Sequence, residues 1–314
     1  MVVLSLFDGI STGRLALEMA GISVSEYIAS EIDPSPMRIS AARWPEIVQV
    51  GNIKNLRARK LPKIDLLIGG SPCQGFSRAG GHLNFDDPRS SLFFEYVRIL
   101  NEARKENPHI LFMLENVDMK KEWEQVITES LYTQPIHINS KLVSAQNRPR
   151  TYWTNIPNVS IPQDKRITLG NTIRRKIDTS GYIAERGILF DPSIPPNGRA
   201  LAANEGGLVR VRQATKQGYI VANDGDGVNL AFPTSKTRRG RVTREKSGTL
   251  DCSCEVCVLH DGMIRHFTIE ELEALQTLPN GYTAVEGLST TDRKKAIGNG
   301  WTAAVIAGIF ENLK

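Results

Sequence analysis

The residues with most chemistry to offer stand where apolar runs end. Gly69-Gly70-Ser71-Pro72-Cys73-Gln74-Gly75-Phe76-Ser77 follows the expected buried strand Ile64 to Ile68, so Cys73 comes after a proline at a strand's carboxyl end with glycines on both sides. Such a turn presents a thiol to solvent, which suits a nucleophile. Few free thiols are ionised at neutral pH, so a site of this kind must lower the thiol's proton affinity or remove its proton during attack. A lone cysteine more commonly serves as a small buried apolar residue, and here the Pro and Gly neighbours favour the exposed turn.

Ile110-Leu111-Phe112-Met113-Leu114 is likewise apolar and closes on Glu115-Asn116-Val117. A carboxyl group desolvated at the mouth of a strand can hold or deliver a proton, which makes Glu115 a general-acid candidate; capping of a following helix is the plain alternative. Gln146-Asn147-Arg148-Pro149-Arg150 precedes Tyr152-Trp153. Guanidinium groups two residues apart on an extended segment point the same way and suit a phosphate or a carbonyl, with surface ion pairing as the alternative. Leu4-Ser5-Leu6-Phe7-Asp8-Gly9-Ile10-Ser11-Thr12-Gly13 is an apolar strand running into a glycine-bearing turn and an amphipathic helix, and Glu31 closes the next strand. Ligands sit at such turns in doubly wound sheets, and a carboxylate at the second strand's end can accept ribose hydroxyls. No third glycine follows Gly9 and Gly13 in register, which disfavours a dinucleotide.

These residues require a scaffold of parallel strands. Up to about residue 155, strand candidates Val2 to Phe7, Ser25 to Ile32, Asp65 to Gly69, Ile110 to Glu115 and Tyr152 to Thr154 alternate with amphipathic stretches. That order predicts an open α/β fold with a doubly wound, mostly parallel sheet. From about Ile161 the chain turns to short strand-like pieces among Pro195-Pro196-Asn197-Gly198, Asn204-Glu205-Gly206-Gly207 and Asn223-Asp224-Gly225-Asp226-Gly227, the composition of a smaller β-rich domain. Thr268-Ile269-Glu270-Glu271 has the form of a capping box opening a helix, and a last helix is expected from about Thr302 to Leu313.

The chain has 314 residues, 40% of them hydrophobic, enough for roughly two domains and a proper core. Its longest apolar runs, Ile110 to Leu114 and Ala303 to Phe310, fall short of the roughly 20 residues of a membrane span. Without a leader-like start, the expected location is the cytoplasm, of a bacterium or a phage-infected host. The net charge is +5, and Lys236 to Lys246 holds six basic residues against one acid, Glu245. A polyanion would be drawn to that strip, although a solvated loop looks the same. Cys252-x-Cys254-x-x-Cys257-x-x-His260 invites a zinc site, but the segment alternates as a strand does, sending Cys257 to the face opposite Cys252 and Cys254. No metal is expected.

Phe7-Asp8-Gly9 through Gly13, Pro72-Cys73-Gln74, Glu115-Asn116-Val117, Gln146-x-Arg148-x-Arg150, Arg265-His266-Phe267-Thr268 through Gln276-x-x-Pro279, and Gly298-Asn299-Gly300-Trp301 occur in one order over nearly the whole chain. In that order the chain resembles the DNA cytosine-5 methyltransferases. Asp8 to Gly13 and Trp301 look like the vertebrate de novo branch, whereas Gly-Asp-Gly-Val-Asn and Ser-Lys-Thr-Arg-Arg-Gly-Arg-Val look like bacterial and phage enzymes. The resemblance implies a Rossmann-like class I fold using S-adenosylmethionine, with S-adenosylhomocysteine as product. It implies a catalytic domain of residues 1–160 and 287–314 around a target-recognition domain of 161–286.

By the same resemblance Cys73 adds to C6 of a flipped-out cytosine, Glu115 stabilises protonated N3, and Arg148, with Arg150, holds the base carbonyl and the catalytic segment. Phe7, Asp8, Gly9, Ile10 and Thr12 would line the methionine and ribose, Glu31 would bind the ribose, and Ile32 and Ile53 would sandwich the adenine. Asn52 stands where the family usually has Asp, and its carbonyl can still accept the adenine amino group. Asn299 and Trp301 would return to that pocket. Gln74, Ser77, Arg78, Arg238, Arg239, Arg241 and Thr249 would meet double-stranded DNA, with 75–81 as a closing lid. The enzyme would be a monomer, with a restriction endonuclease for the same site as a further partner. A silent DNA-binding relative and a transfer RNA methylase are the competing readings.

Overall fold

The computed structural model describes residues 1–72, 91–173, 183–185, 188–190, 202–205, 208–231, 235, 237–252, 256–261 and 263–314. They divide into two compact units, one of Met1–Asn139, Pro149–Pro162 and Gly300–Lys314, the other of Ser140–Arg148 and Gln163–Asn299. Thus 140–148 and 287–299, which the sequence boundaries assign to the catalytic part, group with the second unit.

The first unit is built on a seven-stranded sheet with strands β1 (Val2–Leu6), β2 (Glu26–Ser30), β3 (Val48–Gln49), β4 (Leu66–Gly70), β5 (Leu111–Val117), β6 (Pro135–Asn139) and β7 (Pro149–Thr154). Their order is β3-β2-β1-β4-β5-β7-β6. The first five are parallel, and β7 runs antiparallel to both β5 and β6. Central strands are buried on both faces, hence the near-continuous apolar character of β1, interrupted by the buried Ser5, and of β4. Helices α1 (Thr12–Met19), α2 (Pro34–Arg43), α3 (Ser91–Glu106) and α4 (Lys121–Leu131) connect the strands. Asp33 caps α2 by accepting from Ser35 N, and Pro34 occupies its first turn. Phe93, Tyr96, Ile99, Leu100 and Ala103 form the buried stripe of α3, packing with Leu4, Leu67, Phe112 and Trp153.

In the second unit, α5 (Leu169–Thr172) is followed by β8 (Ile183–Glu185), β9 (Ile188–Phe190), β10 (Ala202–Glu205), β11 (Leu208–Arg212), β12 (Tyr219–Ala222), β13 (Gly227–Asn229), β14 (Val242–Thr243), β15 (Val256–His260) and β16 (Met263–His266). They make a three-stranded sheet, β10-β11-β12, and a six-stranded one, β14-β13-β15-β16-β9-β8. Val209, Val211, Val228, Cys257, Leu259 and Ile264 share a core. Helix α6 (Ile269–Leu275) starts at the expected capping box, with Thr268 Oγ1 accepting from Glu271 N and a Glu271 carboxylate oxygen accepting from Thr268 N. That carboxylate also forks onto Arg265 at 2.8 and 3.0 Å in a buried pair. Then come α7 (Thr290–Asn299) and, back in the first unit, α8 (Ala303–Phe310), which packs on α1. Among the described residues, no helix is long and apolar enough to cross a membrane.

Candidate functional site

Four predicted residues, Cys73, Gln74, Ser77 and Arg78, and the 75–81 segment lie outside the described residues. The chain leading to them is described as far as Pro72. Gly70, the last residue of β4, is in register with Glu115 on β5, and Asn116 Nδ2 donates to Ser71 Oγ at 3.0 Å and to Ser71 O at 3.3 Å. Asn116 and Ser71 are both buried, so the backbone two residues ahead of Cys73 is tied to the neighbouring strand.

Sheet register also explains the surroundings of Glu115. It sits opposite Tyr152 on β7, and Arg150, two residues from Tyr152, shares its face. Arg150 Nε lies 2.9 Å from Glu115 Oε1, and Trp301 Nε1 donates to Glu115 Oε2 at 3.2 Å. Both carboxylate oxygens are held, one by a cation and one by a neutral donor. A Cβ on Gly70 would lie 2.9 Å from Trp301 Nε1 and 3.1 Å from Glu115 Oε2, so the strand end needs glycine for the pair to close over it. The sequence assigns Trp301 to the cofactor pocket and misses this bond to Glu115.

The turn between β1 and α1 is tightly wound, with Phe7, Gly9 and Ser11 all at left-handed φ of 57 to 59°. Glu31 holds it: Oε2 accepts from Gly9 N at 2.8 Å, and Oε1 accepts from Ile32 N at 2.7 Å and Asp33 N at 2.8 Å. Three of a carboxylate's roughly four acceptor positions are thereby filled, leaving one on Oε2 for a ligand hydroxyl rather than the two the sequence reading allows. Asp8 turns inward. Its oxygens accept from Ser11 Oγ at 2.5 Å and from Tyr27 OH at 2.8 Å, and Ser11 Oγ meets Ser40 Oγ at 2.6 Å. Burial pushes the Asp8 carboxyl up to about 6, the Glu31 charge adding to the rise and the hydroxyl donors opposing it. Tyr27 and Ser40 carry no sequence signal of their own and are missed for that reason.

The chemistry of this turn fits a nucleoside carrying a polar tail. The Thr12 hydroxyl is buried without a hydrogen-bond partner among the described residues. Ile32 is 69% exposed, an apolar side chain ready to cover a flat ring, while Ile53 is buried. Ile10 is buried as well. Asn52 Oδ1 accepts from Lys54 N at 3.0 Å, capping the short helical turn Ile53–Asn55 and leaving part of its carbonyl for a ligand.

In the second unit, two motifs a hundred residues apart come together. Gln146 Oε1 accepts from Leu250 N at 3.0 Å, Arg148 Nη1 donates to Leu250 O at 2.7 Å, and Thr249 Oγ1 donates to Asn147 O at 2.8 Å. Arg148 Nη2 also donates to Gly298 O at 3.2 Å. Arg148 and Arg150 therefore have separate partners, instead of converging on one ligand as their spacing suggests. Within the basic strip Arg239 is exposed and Arg238 half-buried, but Arg241 is 1% exposed, its Nη1 donating to Asn229 O at 3.1 Å and Ala231 O at 2.8 Å. The expected DNA contact at Arg241 is corrected accordingly: the side chain braces the fold from inside. Lys246 Nζ donates to the carbonyls of Lys141, Ser144 and Ile167, and burial pulls its pKa down. Lys236 is outside the described residues, and Asn299 is exposed at the end of α7.

Of the cysteine cluster, Cys254 is outside the described residues, Cys252 is exposed, and Cys257 is a buried core residue with Sγ 3.5 Å from His266 Nδ1. One His and carboxylate group among the described residues, Asp224, His260 and Asp261, brings a donor atom from each within 4.8 Å.

The model of the C-5 cytosine-specific DNA methylase family matches residues 1–314. Over 167 residues the chain is 34% identical to the orphan methyltransferase M.SPRI of Bacillus phage SPR, covering 49% of this chain and 37% of that protein. It is 30% identical over 205 residues to the type II methyltransferase M1.ScrFI of Lactococcus lactis subsp. cremoris, covering 59% and 51%. The matched stretches thus span about half or less of these curated relatives. Among solved structures, a putative DNA modification methyltransferase encoded within an E. coli prophage has a TM-score of 0.67 at 19% identity, covering 100% of this chain and 98% of that chain. A Spodoptera frugiperda DNMT2 mutant has a TM-score of 0.63 at 17% identity, covering 99% of each chain. At these identities the likeness concerns the fold.

Proposed function

Because the chain belongs to the C-5 cytosine-specific DNA methylase family, we propose that it methylates C5 of cytosine in duplex DNA, with S-adenosylmethionine as methyl donor. The observation that carries this reading is the double hold on Glu115 beside the strand end that leads into Cys73. The bound cofactor supplies an electrophilic methyl group. Phe7, Gly9, Ile10 and Thr12 form its bed, Glu31 takes a ribose hydroxyl, and Ile32 and Ile53 flank the adenine beside Asn52.

The protein's own groups prepare the base. Cytosine C5 is a weak nucleophile, so the Cys73 thiolate adds to C6 and moves electron density toward C5. Glu115 accepts from protonated N3 with the lone pairs that Arg150 and Trp301 leave free. Once C5 is methylated, its proton leaves and the C6–S bond breaks, returning the thiolate. The base cannot react while stacked, so it is everted at a cost of about a few kcal/mol.

The second unit serves as the reader. Arg238, Arg239 and Thr249, together with Gln74, Ser77 and Arg78, supply DNA contacts, while Arg148 secures Leu250 beside Thr249. The enzyme works as a monomer, and an endonuclease cutting the same site is its candidate partner. Incubation with the cofactor and a duplex containing 5-fluorocytosine tests the reading. A covalent protein–DNA adduct is expected and is lost in Cys73→Ala; labelled methyl transfer to transfer RNA but not DNA, or an undiminished Cys73→Ala chain, overturns it.

A further inference from the structure

We propose that Trp301 is a positioning residue for Glu115, acting through its indole N–H. This rests on the reading of Glu115 as the group that meets the cytosine. An indole has one hydrogen to donate, and in this fold it goes to Glu115 Oε2 at 3.2 Å, across 186 residues of sequence. With Arg150 Nε 2.9 Å from Oε1, the carboxylate is pinned at both oxygens by donors from different stretches of chain, which fixes the plane of the group as well as its position.

The indole is itself held. Beyond Gly70 on β4, it reaches the first turn of α1, where a Cβ on Gly13 would lie 3.4 Å from Trp301 Cζ3. One aromatic ring therefore bridges the helix that follows the cofactor turn and the carboxylate near the end of β5. A ring serving only as a wall for the cofactor would have no use for its N–H at Glu115. Positioned groups contribute to rate by removing the need to reorganise in the transition state, so the bond should be felt in the chemical step rather than in binding.

The test is a double-mutant cycle of Trp301→Phe and Glu115→Gln on the full chain, read as single-turnover methyl transfer at saturating DNA and cofactor, with the cofactor dissociation constant measured in parallel. Phenylalanine keeps an aromatic ring and removes the donor. Trp301→Phe is expected to slow transfer about tenfold in the parent, near 1.4 kcal/mol, while cofactor affinity stays within about twofold. In the Glu115→Gln background it should cost less than about twofold. Gly70→Ala, whose Cβ would press on both groups at once, should give the same pattern with Trp301 intact. An equal tenfold loss in the Glu115→Gln chain, or weakened cofactor binding with an unchanged rate, would overturn the inference. A Glu115→Gln chain as fast as the parent would instead sink the reading of Glu115 on which the inference stands.

Discussion

The two units use charge in opposite ways. In the first, the carboxylates Asp8, Glu31 and Glu115, at or near strand ends, are held by N–H and O–H donors, the cation Arg150 among them. In the second, the charged groups include the cations Arg148, Arg241 and Lys246, whose donors go to backbone carbonyls of the unit itself. A carboxylate has about four acceptor positions, so it can be anchored and still receive a ligand. A buried guanidinium set among carbonyls has no such access to a partner outside. Charge in a motif therefore says little about use until the direction of the side chain is known.

Glu115→Gln carries the largest expected effect, a fall of roughly 10² to 10⁴ in single-turnover methyl transfer, the usual worth of a positioned proton-handling group. A loss below tenfold would place Glu115 with the structural charges. Arg241→Ala strands the carbonyls of Asn229 and Ala231, and about 3 kcal/mol of stability should be lost in urea unfolding. If stability instead holds while DNA affinity drops, the inward reading of Arg241 is wrong.

Asp8 ties the stability of the first unit to pH. Its folded-state pKa of about 6 lies above the ordinary 3.8, so the fold favours the neutral carboxyl. That contribution is complete below about pH 4 and is lost as pH rises through 6, an effect of about 2 to 3 kcal/mol by linkage. Asp8→Asn should therefore gain stability relative to the parent between pH 4 and 7, as followed by thermal unfolding; a difference that does not change with pH removes the burial argument. Arg239→Ala is the mildest change. Stability should stay within about 0.5 kcal/mol, while the dependence of DNA affinity on salt falls by the equivalent of about one phosphate contact.

Much of the framework is legible in the residues. The largely apolar stretches of β1, β4 and β5, with β2 between them in the chain, announce buried parallel strands, and Thr268 with Glu271 announces the start of α6. Strand β6, Pro-Ile-His-Ile-Asn, goes unread because it is an edge strand that opens on a proline, and its alternation lasts only the four residues from Ile136 to Asn139. The two-residue β3 is too short to carry a pattern.

For the site, residue type and place at a strand's end single out Cys73, Glu115 and Glu31, because strand termini and glycine turns are local properties. Partners are another matter. That Trp301 bonds Glu115 and that Tyr27 helps hold Asp8 inward depend on segments 186 and 19 residues apart meeting, and that Arg241 faces carbonyls instead of solvent depends on how β13 and the strip fold together. Strand propensity, turn chemistry and charge content are written in neighbouring residues. Sheet register and the return of α8 to α1 determine which side chains meet, and only the folded chain contains them.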